Sequence, residues 1–197
     1  MRIFVALDID DAIRQRIQRF MEGVSGFAPD ARWVRPESLH VTLKFIGEKP
    51  QEAVEKIKQA LSSVRAEPVE INFRGYGFFP TAKAARVFWV GIESGPQLSA
   101  LAKAVDQALK VLGIPQEEHP FTPHLTLARG AGRSGAPHRK KGDTGTRNFL
   151  RLQEKLQALT TPEFGTMAAH EFFLYQSQLS QGGSRYTKIA SFPLPFT

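Results

Sequence analysis

Apolar and polar residues recur along this chain at two spacings, and the changes from one to the other predict its elements. Residues 2–8 are almost wholly apolar, as in a strand buried on both faces, and 10–26 carries Ile13, Ile17 and Phe20 on one helical stripe with Asp10 or Asp11 as N-cap. Past a loop marked by Pro29 and Pro36, a strand is predicted over 39–46, closed by Gly47. A helix follows over 51–63, with Val54, Ile57, Lys58 and Leu61 at helical spacing. Segments 69–79 and 86–93 read as the strands of a hairpin turning at Pro80-Thr81-Ala82-Lys83. A helix over 97–112 comes next, striped by Leu98, Leu101, Val105, Ala108 and Leu112 and stopped by Gly113. The remainder reads as a strand over 124–128, an unpatterned glycine-rich loop over 130–145, a helix over 146–159 and strands over 166–176 and 184–192. Mostly antiparallel strands in two sheets, with helices on the outer faces, make an α+β fold.

Two of these strands carry one pattern, histidine, apolar, threonine, leucine. His40-Val41-Thr42-Leu43 and His124-Leu125-Thr126-Leu127 stand 84 residues apart, and the same offset pairs Pro36 with Pro120, Arg2 with Arg86 and Phe4 with Phe88. The chain reads as two copies of one half. In a strand, alternate residues share a face, so each histidine points the same way as its threonine. Repeats packed about a pseudo-two-fold axis would set the two His-Thr pairs on opposite walls of one groove. Two imidazoles that titrate near neutrality suit a reaction in which one group takes a proton while another gives one, as phosphodiester cleavage does. Thr42 and Thr126 are candidate donors to phosphate oxygens, being neutral hydroxyls on the histidine face.

Paired motifs of this kind in a chain of this size resemble the two-histidine phosphoesterase superfamily, LigT-like branch. The flanking Arg2-Ile3-Phe4-Val5-Ala6-Leu7, Trp33-Val34, Lys44-Phe45-Ile46-Gly47 and Ala128-Arg129 are similar to the RNA 2′,3′-cyclic phosphodiesterases, also called 2′-5′ RNA ligases. The resemblance implies a bilobal fold with a central groove, one domain spanning 1–197. It implies His40 as proton donor and His124 as proton acceptor, with O3′ leaving, a 2′-phosphate remaining, and 2′-5′ ligation as the reverse reaction. It also implies phosphate binding by an arginine near position 129. On strand parity alone Arg129 leaves the histidine face and needs a bend at Gly130 to return, whereas Lys44 shares the face of His40. Two other readings stand beside this one: a phosphodiesterase of small cyclic nucleotides or ADP-ribose derivatives, and a module that binds RNA ends without turnover.

Composition narrows the setting. A chain of 197 residues with 42% hydrophobic and 10% aromatic content fits one globular domain, and no apolar run nears the length of a membrane span. Residues 1–10 lack a cleavage site and read as a strand, which points to the cytoplasm. Zero cysteines exclude disulfides, thiolate metal sites and thiol nucleophiles. A net charge of +7 is as consistent with solubility as with a polyanionic partner, and the motifs tip the balance to RNA with 2′,3′-cyclic phosphate ends, tRNA fragments among them. A monomer is expected, with no cofactor and no metal, since neither a phosphate loop nor a carboxylate cluster accompanies the histidines. In the 130–145 loop, Arg133, Arg139, Lys140 and Lys141 read equally as an RNA-backbone grip or a solvated surface. Phe78 and Phe79 could stack on a base but read mainly as core, and His119, His138 and His170, without repeat partners, read as structural or solvent-facing.

Overall fold

The computed structural model describes residues 1–130, 147–181 and 183–195. Its elements run β1 (Arg2–Leu7), α1 (Asp11–Val24), β2 (Arg32–Trp33), β3 (Val41–Glu48), α2 (Gln51–Ser62), β4 (Val69–Phe79), β5 (Val87–Ser94), α3 (Pro96–Lys110), β6 (His124–Arg129), α4 (Arg147–Gln157), β7 (Glu163–Ala169), β8 (Glu171–Ser180) and β9 (Gly183–Pro193). Asp10 is extended just before α1, which buries Ile13, Ile17, Met21 and Val24. β1 is buried on both faces from Ile3 to Leu7. The stripe of α3 runs through Leu98, Leu101, Ala102, Val105 and Leu109. Leu112 lies past the end of that helix and is exposed.

The strands form two antiparallel sheets, in the orders β3-β1-β8-β9 and β2-β6-β5-β4-β7. The fold is α+β, with mostly antiparallel strands as the alternation predicts. Each sheet draws strands from both halves of the chain. β1 pairs with β3 and then with β8 from the far end of the sequence, while β5 pairs with β6 and with the earlier β4. The single strand expected over 166–176 is two. It breaks at His170, leaving β7 on β4 in one sheet and sending β8 to β1 in the other. No glycine or proline marks the crossing, and buried residues continue on both sides of it (Met167 and Ala169, then Phe172 to Tyr175), so the pattern alone does not reveal it.

One cluster of buried side chains joins the inner faces of both sheets to the helices, from Ile3, Val5 and Leu7 of β1 to Phe88 and Val90 of β5 and Phe149 of α4. Each fully buried Leu, Ile or Phe contributes about 1.5–3 kcal/mol by leaving water. On the opposite face of the first sheet a second, smaller cluster forms from Phe4, Ala6, Phe173 and Tyr175, with Tyr186 against it. Among the described residues no helix is long and apolar enough to cross a membrane.

Candidate active site

The two histidines are set in the same way. His40 lies just before β3 and His124 opens β6. In each case the ring turns back on its own chain, and Nδ1 donates to the carbonyl oxygen two residues earlier: Ser38 at 2.7 Å for His40, Thr122 at 2.8 Å for His124. A carbonyl can only accept, so Nδ1 carries the hydrogen and Nε2 is the atom each ring has left for proton transfer.

Strand pairing then decides which neighbours share that face. Thr42 lies opposite Ala6 and Thr126 opposite Trp89, away from the main core. Leu43 and Leu127 each lack a partner in their ladder, so each is the extra residue of a β-bulge. A bulge adds one residue and reverses the parity of whatever follows. On β6 it sends Ala128 into the core and turns Arg129 back to the face of His124. The return therefore comes from a bulge at Leu127, where parity alone asks for a bend at Gly130. On β3 the same device works against expectation: Lys44 is carried to the inner side, with only 4% of its surface exposed. Its Nζ donates to Asp106 Oδ1 and to the Pro115 carbonyl, both at 2.7 Å, with Glu117 at 3.5 Å. Lys44 is a structural cation between β3, α3 and the segment after it.

Aromatic side chains seat both rings. His40 lies 4.9 Å from Phe4 and meets the edge of Tyr186 at 5.1 Å, with Tyr175 at 6.2 Å. His124 stands perpendicular to Phe79 at 4.9 Å and 6.4 Å from Trp89. Trp89 lies flat against Gly77, where a Cβ would come within 2.1 Å of its ring, so only glycine admits this packing. The pair Phe78 and Phe79 divides: Phe78 packs on Phe88 and Phe149 in the core, while Phe79 stands at the site. The motifs and the text around them mark none of Tyr175, Tyr186 or Trp89. The offset of 84 pairs Phe4 with Phe88, which faces the opposite way, and Tyr175 and Tyr186 come from strands that return to the first sheet from the far end of the chain.

β3 and β6 approach one another across the two sheets, and the charges at the site act between them. Burial holds the His40 imidazole below its ordinary range; the Ser38 carbonyl opposes this, Arg129 adds to it, Asp8 opposes and His124 adds again. Burial likewise lowers His124, the Thr122 carbonyl opposes, and Arg129 lowers it further. Arg129 thus acts on both rings. A cavity of about 350 Å³ opens beside His40, lined also by Asp8, Glu37, Tyr175, Tyr186 and Lys188. His119 lies apart from it, in a second depression with Lys44, and His170 is exposed between β7 and β8. Among the described residues no group of three or more His, Asp or Glu could hold a metal ion. Arg133, His138, Arg139, Lys140 and Lys141 lie outside the described residues.

Two imidazoles with Nε2 left for proton transfer, and a guanidinium whose charge acts on both, can between them take a proton and give one. Known proteins are similar to this chain in sequence and fold. Residues 9–162 match the family model of the 2′-5′ RNA ligase superfamily. A protein of Archaeoglobus fulgidus named RNA 2′,3′-cyclic phosphodiesterase is 33% identical over 192 residues, covering 98% of this chain and 99% of that protein. One of the same name from Methanothermobacter thermautotrophicus is 31% identical over 196 residues, covering 98% and 99%. The crystal structure of E. coli LigT complexed with 3′-AMP superposes with a TM-score of 0.74 at 27% identity, over 98% of this chain and 97% of that one. With its matched span and relatives similar from end to end, the chain belongs to the 2′-5′ RNA ligase superfamily.

Proposed function

We propose that this protein opens the 2′,3′-cyclic phosphate at an RNA end, with His124 and His40 as the two proton-transfer groups. Nε2 of His124 takes a proton from water as its oxygen bonds to phosphorus. The bond from phosphorus to O3′ breaks, and Nε2 of His40 gives O3′ its proton, leaving a 2′-phosphate. Thr42 and Thr126 donate to the non-bridging oxygens, and Arg129 balances the charge that builds on them in the transition state. The same path, with a 5′-hydroxyl in place of water, joins two RNA ends through a 2′-5′ linkage, O3′ leaving as before. An internal duplication with an 84-residue offset, part of the same proposal, explains why the two rings are anchored alike.

The observation that carries the reading is the matched pair of Nδ1 to carbonyl bonds, which frees Nε2 on both histidines beside a shared arginine. The names of the relatives point to the same substrate. The test is incubation of the full chain with a short RNA ending in a 2′,3′-cyclic phosphate. The expected product is heavier by one water, and its phosphate is located on the 2′ oxygen by phosphorus NMR. An end left cyclic, although bound, would make the protein a capture module. Consumption of mononucleotide cyclic phosphates but not of the oligonucleotide would make it a small-molecule phosphodiesterase.

A further inference from the structure

The two imidazoles have the same backbone anchor, yet something must decide which holds the proton. The carbonyls of Ser38 and Thr122 do the same for each ring, and Arg129 disfavours charge on both. One difference that favours a proton on His40 lies at the end of β1. Asp8 lines the cavity beside His40, and the position 84 residues on is Ile92, which has no charge to offer His124.

Asp8 is firmly held. Its Oδ1 accepts from the Ile9 amide at 2.8 Å and from the Arg14 guanidinium at 2.6 Å, and its Oδ2 from Lys188 Nζ at 2.6 Å. Burial alone would raise this carboxyl, but the bonds from Lys188, Ile9 and Arg14 outweigh it and keep the group ionised. Lys188 is fixed in turn, 4.1 Å above the ring of Phe173. The other groups facing His40 do not substitute for Asp8. From β6, Arg129 and His124 both repel a proton there. Burial pushes the phenol of Tyr175 on β8 far up, so it stays neutral. Tyr186 of β9 presents a ring edge, and Glu37 is exposed on the 3-10 turn Pro36–Ser38 at the cavity wall.

We propose that Asp8 is a positioning residue that makes the two histidines unequal, favouring the proton on His40 so that His40 serves as donor and His124 as acceptor. This rests on the acid–base reading above. It assigns to one carboxylate a polarity that the motifs, alike in every polar residue, cannot supply.

The test is an NMR titration of the His40 and His124 rings in the substrate-free full chain, for the natural protein and for Asp8→Asn, Asp8→Glu and Lys188→Met. Asp8→Asn is expected to lower the midpoint of His40 and leave that of His124 in place, and Asp8→Glu to restore it. Lys188→Met strips a cation from Asp8 and is expected to move His40 the opposite way, upward, a sign that general damage would not produce. In turnover, Asp8→Asn draws the alkaline limb of kcat/KM to lower pH while the acidic limb stays. The rate above that limb falls, though by less than the ~10²–10⁴-fold that a lost proton-transfer group costs. A His40 midpoint unmoved by Asp8→Asn, or both histidines moving together, overturns the proposal, and so does a downward shift in Lys188→Met. Because the titration needs no substrate, a failure of the proposed activity shows separately, as a natural protein without turnover whose His40 still responds to Asp8.

Discussion

Replacing Arg129 with methionine keeps an unbranched stem on β6 and removes the guanidinium. Two effects follow from its position. In the proposed mechanism Arg129 supplies a forked donor where negative charge grows on the phosphate oxygens, and losing one such donor costs about 10²–10³-fold in kcat, roughly 2.7–4 kcal/mol of transition-state stabilisation. Arg129 also lowers both imidazoles, so its removal lets both rise toward their ordinary range. In the free enzyme the acidic limb of kcat/KM reports the group that must accept a proton and the alkaline limb the group that must give one. Both groups rise, so the whole bell moves to higher pH rather than widening on one side. The side chain is exposed, so salt screens its action on the rings, and the displacement shrinks as ionic strength increases. Initial rates on a cyclic-phosphate oligonucleotide across acidic to mildly alkaline pH, at low and high salt, measure all of this. Arg129→Lys separates the two effects: a point charge restores the limbs, but without the fork most of the rate stays lost. A methionine variant with unchanged kcat and unshifted limbs would refute the role of the Leu127 bulge in turning Arg129 to the histidines.

Three further outcomes are expected. Lys44→Met leaves Asp106 without its cation; a broken buried pair costs about 3–5 kcal/mol, or nearer 2–3 here because Asp106 and Glu117 keep some water. At roughly 2–4 °C per kcal/mol for a chain of this size, Tm drops by about 5–10 °C with kcat intact, and an unchanged calorimetric Tm would count against the burial of this side chain. Gly77→Ala drives a Cβ into the Trp89 ring, so tryptophan fluorescence changes and kcat falls as His124 loses its seat; a silent substitution sinks that packing. Both histidines are lowered in the fold, so between the ordinary 6.5 and their folded values the unfolded chain binds more protons. Stability is therefore full above that ordinary value and declines as pH falls through the interval. Urea melts of a His40→Asn, His124→Asn variant should show a shallower decline, and an identical slope would refute the linkage.

The sequence carried the element types well, because hydrophobic period is a local property, and β1, α1, α2, β4 and β5 sit within a residue or two of where the pattern put them. What it could not carry were events that depend on a partner strand. The bulges at Leu43 and Leu127 leave no mark in composition, since leucine is an ordinary strand residue, yet they decide that Lys44 is buried and that Arg129 faces the histidines. The crossing at His170 was hidden for a similar reason: each sheet asks for the same alternation, so a run that changes sheets looks continuous. The placement of His40 and His124 could be anticipated because the motif repeats. The rings that seat them could not, because Tyr175 and Tyr186 sit more than a hundred residues from His40 and nothing in their own surroundings sets them apart from core aromatics.

The exchange of strands between sheets also has a meaning for biosynthesis. A ribosome that has released everything up to Ala169 has made both imidazoles, the arginine and every strand of the second sheet, but β1 still waits for β8, and the cavity wall at Tyr175, Tyr186 and Lys188 does not yet exist. An unfinished polypeptide of this kind therefore lacks one wall of the cavity beside His40 however well its earlier segments have collapsed. That wall arrives with the last hairpin, and a proteolytic clip that frees the hairpin removes it again.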